Sequence, residues 1–248
     1  MSELQYFTTS GTLGDSYITM LKLLSYEHPV KLHHFVRGGH KYWQGAIEWL
    51  LRLAPCVHDI EATESLYEHK DSPRIYSNFK EPDPEGIVRT YFPEQLDLGV
   101  EDFKPRYQEY AVVCTNSGKP SNIGGNTKRL SEATINYALN VQMGVPKILI
   151  GTEAPGEFSK GRLVFDSRCT NYVGMLQLNE AVDLVSRAKY FLGPEGLLLF
   201  VALSNKITST GLYTSQEAMD VRVNCSPWSS YATLLKCNAD KDGFLKVL

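Results

Sequence analysis

A strand, a glycine turn, a helix and then a second strand and helix open this 248-residue chain. Gln5–Thr9 carries aromatic and β-branched residues and stops at Ser10-Gly11, as a short buried strand does. The turn Gly11-Thr12-Leu13-Gly14-Asp15 follows. Ile18, Leu21 and Leu24 then recur at a spacing of three, with Met20 and Leu23 widening the apolar stripe of a helix. Pro29 ends it, and Val30–Val36 reads as the next strand, broken by Gly38-Gly39. Trp43, Ile47, Leu50, Leu51 and Leu53 mark a further amphipathic helix, stopped at Pro55. Alternation of this kind is βαβ grammar, which implies a parallel sheet.

The stretch from Ser65 to Lys104 breaks the pattern with Pro, Asp, Glu and Tyr, and Glu81–Gly86 is a loop. A boundary near Leu98–Arg106 divides the chain into domains 1–104 and 105–248. After it the grammar restarts. Glu109–Thr115 is predicted as a strand, Asn116–Asn126 as a polar loop, Ser131–Met143 as a helix and Pro146–Gly151 as a strand. Leu163–Phe165 is a possible short strand. Asn179–Ala188 is a helix, Tyr190–Leu192 a strand, and Leu197–Ser204 a helix apolar all round. Lys206–Thr210 is the next strand, and Tyr231, Leu234 and Leu235 share a face of a terminal helix. The fold class is α/β, with two Rossmann-like parallel-sheet domains.

Composition narrows the function. A net charge of −3 gives no broad basic surface for nucleic acid. The start has no basic segment followed by an apolar one, and the longest apolar run, Gly196–Leu203, is far too short to span a bilayer. A cytoplasmic protein is expected. The five cysteines form no CxxC pair, so neither zinc nor a disulfide framework is indicated. His33, His34 and His40 show no metal-ligand spacing and are read as surface or loop residues; no metal is expected.

Three turns can carry chemistry. In the first, Gly11 and Gly14 permit tight geometry. Asp15 is either an N-cap, accepting a bond from free helix amides, or a general base facing an acceptor hydroxyl. Parallel sheets bind ligands at the carboxyl ends of their strands, where this turn lies. With Gly11, Thr12 and Gly14, Arg37 and His40 are candidates for the acceptor side of a cleft. The second is Thr115 to Arg129, whose hydroxyls at Thr115 and Ser117 and cation at Lys128 suit a diphosphate, or else form a solvated loop. It is not a P-loop, and the first turn is not a GxGxxG dinucleotide fingerprint. The third is Gly193-Pro194-Glu195-Gly196 before the apolar helix. Its amides near Gly196 and Leu197 favour a phosphate, and Glu195 is either a partner for ribose or sugar hydroxyls or a helix-end carboxylate.

In order and spacing, these stretches resemble the heptosyltransferase-type glycosyltransferases, family nine of the sugar-nucleotide enzymes, with the GT-B fold. Gly11-Thr12-Leu13-Gly14-Asp15 looks like that family's G-x-L-G-D turn. Thr115 through Lys128-Arg129 looks like its hydroxyl-bearing loop, and Leu176 through Gly196 like its helix, strand and G-x-[DE]-x-G. Cys225-Ser226-Pro227 and Cys237 are similar to the cysteine-bearing tail of many members. In place of the His common in the family's following helix stands Leu197-Leu198-Leu199. The resemblance implies two domains facing a cleft and metal-independent, cofactor-free transfer from a nucleotide sugar. Asp15 is then the base, and Thr115, Ser117, Lys128 and the amides at Gly196 steady the leaving diphosphate. The acceptor stays open among a glycan, a small molecule and a modified nucleic-acid base. A non-catalytic nucleotide-sugar or phospho-ligand binding module satisfies the same motifs.

Overall fold

The computed structural model describes residues 3–35, 43–94, 96–100, 104–117, 128–140, 144–152, 169–239 and 244–246. They form two compact units, residues 1–98 with 220–227, and 99–219 with 228–248. The expected second domain takes in all of 105–248, whereas Asp220–Pro227 packs with the first unit. A short helical segment has no strong periodicity of its own to reveal such a return.

In the first unit, β1 (Gln5–Ser10), β2 (Val30–Phe35) and β3 (Val57–Thr63) form a parallel sheet in the order β1-β2-β3, with α1 (Leu13–Leu23) and α2 (Gln44–Arg52) as crossovers. Ile18, Met20, Leu21 and Leu23 of α1 are fully buried, and so are Leu50 and Leu51 of α2. Removing such side chains from water stabilises by roughly 1.5–3 kcal/mol each. β3 lacks a sequence signal because only its ends are buried, leaving His58, Asp59, Glu61 and Ala62 exposed. The loop after β3 returns to β1: Thr8 donates its amide to Pro73, and Ile75 donates back to Thr8, both at 2.9 Å.

Lys22 of α1 is wholly buried. Its ammonium donates to the carbonyls of Tyr76 at 2.9 Å and Asn78 at 2.6 Å, and pairs with Asp83. Arg89 meets the other oxygen of Asp83 at 2.7 Å. Burial pulls the Lys22 pKa below its ordinary value, against the hydrogen bond and charge of Asp83. This clamp ties the 76–89 loop to α1.

The second unit is built on a six-stranded parallel sheet. Its strands are β4 (Ala111–Cys114), β7 (Lys147–Ile150), β8 (Cys169–Asn171), β9 (Tyr190–Pro194), β10 (Thr208–Tyr213) and β11 (Ala232–Lys236), in the order β11-β10-β9-β4-β7-β8. Helices α3 (Glu132–Asn140), α4 (Leu178–Ser186) and α5 (Leu197–Ser204) connect them. A small second sheet joins β5 (Asn116–Ser117), β6 (Lys128–Leu130), β12 (Asn238–Ala239) and β13 (Phe244–Lys246). Between β10 and β11 lies the four-residue α6 (Gln216–Met219).

The expected terminal helix at 231–236 is strand β11, with Leu234 opposite Gly211 and Leu235 opposite Leu212 of β10. Three apolar positions fit either period, and a free sheet edge decided for the strand. Leu163–Phe165 lies outside the described residues. Among the described residues no helix is long and apolar enough to cross a membrane.

Candidate active site

Each unit carries a strand–glycine–helix turn at the carboxyl end of a parallel strand. In the first, β1 ends at Ser10 and Gly11 takes φ +128°, a region that favours glycine. A Cβ at Gly11 would lie 2.4 Å from the Asp15 carboxylate, so turn and acid are packed as one piece. Thr12 is the N-cap of α1, and Asp15 is its third helical residue rather than the cap itself. Gly14 is an ordinary helical position. Asp15 Oδ2 accepts from the Thr12 amide at 2.8 Å and the Thr12 hydroxyl at 3.2 Å. Its other oxygen, Oδ1, accepts from Arg222 Nη2 at 2.6 Å. Arg222 also donates to the Ser77 carbonyl at 3.3 Å, and Phe79 donates its amide to Val221 at 3.0 Å. The guanidinium is thereby braced while the Asp15 side chain stays 15% exposed.

Below the turn, His34 bonds Thr9 Oγ1 through Nδ1 at 2.6 Å and the Gly11 carbonyl through Nε2 at 3.3 Å. A neutral ring with its proton on Nε2 satisfies both. Burial lowers its pKa, against the pull of the Gly11 hydrogen bond. His33 and His34 are buried, contrary to their reading as surface residues, because β2 is the middle strand of its sheet. Arg37 and His40 lie outside the described residues.

The second turn lies where the sheet order reverses. From β4 the chain runs outward through β7 and β8, then crosses to β9, β10 and β11 on the other side. The crevice beyond adjacent β4 and β9 is therefore a topological switch point, where open parallel sheets bind ligands. Ser117 follows β4, Glu195 and Gly196 follow β9, and Thr214 follows β10. Ser117 pairs with Lys128 across the antiparallel β5–β6 ladder, so the loop's hydroxyl and its cation arrive side by side. Ser117 Oγ donates to the Glu195 carbonyl at 2.7 Å, and Lys128 Nζ is ion-paired with Glu195 Oε1.

Glu195 is only 5% exposed, and its Oε2 has no hydrogen-bond partner. Gly196, at φ +150°, is the N-cap of α5, and a Cβ there would meet Ser117 Oγ at 2.9 Å. No side chain caps α5, and no acid stands in its first turn. By helix geometry the amides of Leu197, Leu198 and Leu199 have no partner within the helix, which makes an anion seat. Thr115 takes a different place: it is fully buried, and its hydroxyl donates to the Ile150 carbonyl at 3.1 Å. Asn116, passed over in the sequence, ties β4 to the end of β7 by accepting from the Thr152 amide at 2.9 Å and donating to Thr152 Oγ1 at 2.7 Å. Arg222 was missed too, since nothing in a four-residue neighbourhood links it to a carboxylate 207 positions earlier.

Parallel α/β units, each with a strand–glycine–helix turn, define a Rossmann-like class of fold. Comparison with solved structures makes it particular. The chain is similar to the ADP-heptose LPS heptosyltransferase II of E. coli, with 13% identity over 98% of this chain and 93% of that one and a TM-score of 0.57. It is similar to the E. coli heptosyltransferase WaaC with ADP-2-deoxy-2-fluoro heptose, at 11% identity, 95% and 94% coverage and a TM-score of 0.55. A family 9 glycosyltransferase from Veillonella parvula matches at 11% identity, 94% and 86% coverage and a TM-score of 0.54. No protein-family model and no curated protein matches the sequence. The shared property is the fold, and this chain has the α/β, GT-B-type fold of those glycosyltransferases.

Proposed function

We propose that the chain is a metal-independent, cofactor-free glycosyltransferase that moves a sugar from a nucleotide-sugar donor to an acceptor hydroxyl. The observation that carries this reading is the uncapped N-terminus of α5 at the switch point, beside Ser117, Lys128 and the unpartnered Glu195 Oε2. It occurs in a fold shared nearly end to end with heptosyltransferases, one of them solved with an ADP sugar. The donor diphosphate sits on the amides of Leu197–Leu199 with Ser117 and Lys128, and Glu195 Oε2 accepts from a donor hydroxyl. Preorganised amides and a cation stabilise the charge that develops on the leaving diphosphate. Thr115 contributes by fixing the loop that carries Ser117.

Asp15 serves as the base. Each carboxylate oxygen offers two lone pairs, and Arg222 takes one at Oδ1. The other accepts the acceptor's proton as its oxygen bonds to the anomeric carbon and the bond to the nucleoside diphosphate breaks. The acceptor is a glycan, a small molecule or a modified nucleic-acid base, and the protein acts in the cytoplasm. A panel of nucleotide sugars, screened for thermal stabilisation and then for release of nucleoside diphosphate with candidate acceptors, tests the reading. Acceptor-dependent release that vanishes in Asp15→Asn supports it. Turnover surviving in that variant removes Asp15 as the base, and a panel in which no nucleotide stabilises the protein removes the donor site.

A further inference from the structure

The first unit holds a second group of chemically capable side chains, away from the Asp15 turn. His33 on β2 and Glu61 on β3 are direct partners in the parallel register, and His69 comes from the single helical turn Leu66–His69 that follows β3. Among the described residues this trio places its ligand atoms within 4.8 Å of one another. The two imidazoles stack at 3.6 Å between centroids, and the Tyr6 ring lies nearly parallel to His33 at 6.0 Å.

One atom in this group is out of place for a purely structural cluster. His33 Nδ1 is buried and makes no hydrogen bond, although Glu61 Oε2 lies 3.4 Å away. Leaving a buried polar atom unpaired forfeits its hydration with nothing in return. The separation that is poor for a hydrogen bond suits another partner. Donors bound tetrahedrally at about 2.0–2.2 Å from one ion lie roughly 3.3–3.6 Å apart. We propose that His33, Glu61 and His69 bind a first-row divalent transition metal, with zinc as the reference ion.

Two imidazoles and one carboxylate form a borderline-soft donor set that selects zinc, nickel or copper over magnesium and calcium. Three protein ligands leave the fourth position of a tetrahedral ion to water. The ring of His69 is only partly buried, so it has room to turn out of its stack on His33, as an in-plane nitrogen ligand requires. Lys31 competes for the site. Its ammonium lies 2.9 Å from Glu61 Oε2 and 3.4 Å from Asp59, so metal binding moves it onto Asp59. The site is independent of the proposed transfer reaction. His34, the neighbour on β2, is committed to Thr9 and Gly11 and is no ligand.

The test is calorimetric titration of the tag-free full chain, stripped with chelator, with zinc chloride. The expected result is saturable binding of one ion per chain. His69→Ala and Glu61→Gln, both at partly or fully exposed positions that keep the fold, each weaken it about tenfold or more. Lys31→Met tightens it by removing the competing cation. Circular dichroism of each variant confirms the fold. No saturable binding by the wild type overturns the proposal, and so does wild-type affinity in the double variant His69→Ala/Glu61→Gln, which would place the ion elsewhere.

Discussion

The turns at Asp15 and at Glu195 share a plan and differ in one position. Each follows a parallel strand, each has a glycine at positive φ whose Cβ would strike a functional side chain, and each pairs its carboxylate with a distant cation. In the first turn the acid stands inside the helix, so its own Oδ2 takes the Thr12 amide and the helix end is already filled by a negative charge. In the second the acid stands before the glycine cap, its side chain turns to Lys128, and the amides of α5 are left open. Four residues of displacement relative to the helix cap therefore separate a turn that presents a carboxylate from a turn that receives an anion.

Four tests bear on this contrast. The largest effect is expected from Asp15→Asn. Turnover falls by about 10²–10⁴, the usual worth of a general base, while nucleoside diphosphate binding by calorimetry is unchanged. Equal loss of both would merge the two roles. Next is Lys22→Met, which leaves Asp83 buried against Arg89 alone and undercuts α1 from behind. A loss of about 3–5 kcal/mol in urea unfolding is expected.

Gly11→Ala and Gly196→Ala form the third comparison. Each forces an L-residue into a conformation that costs about 1–3 kcal/mol. Only Gly196→Ala is expected to weaken diphosphate binding as well, because its methyl group meets Ser117 at the anion seat.

The smallest effect is pH dependence under the first turn. Burial holds the His34 pKa down in the folded state, so the unfolded chain takes up a proton more readily. Stability is then full above the ordinary imidazole value of about 6.5 and falls as the pH drops through the folded value. Thermal melts between pH 8 and 5 should show that slope, reduced in His34→Gln. His33, also lowered by burial and by its neighbour His69, supplies part of what remains.

Much of this was legible in the sequence, and for a physical reason. Buried parallel strands and the helices over them carry dense apolar periodicity, so β1, α1, β2, α2, β4, α4, β9 and α5 stand close to where the residues place them. So do the two glycine turns, since Gly11 and Gly196 are required by backbone geometry that leaves a local mark. β3 escaped because it is largely exposed, and β11 because three apolar residues cannot choose a period. Lys128 and Glu195 were each marked, but their pairing belongs to the β5–β6 ladder and the β4–β9 adjacency. Thr115 reads as a ligand by its type, whereas its side chain is buried and its hydroxyl donates to the Ile150 carbonyl. The His33, Glu61 and His69 group had no spacing to betray it, since register and a short turn bring it together.

The contrast between the turns is tested most directly by a crystal structure of the full chain with ADP. The two phosphates are expected on the amides of Leu197–Leu199, with Ser117 and Lys128 alongside and the Asp15–Arg222 pair undisturbed. Phosphates seated instead at the Thr12–Asp15 end of α1, with Asp15 displaced, would contradict it.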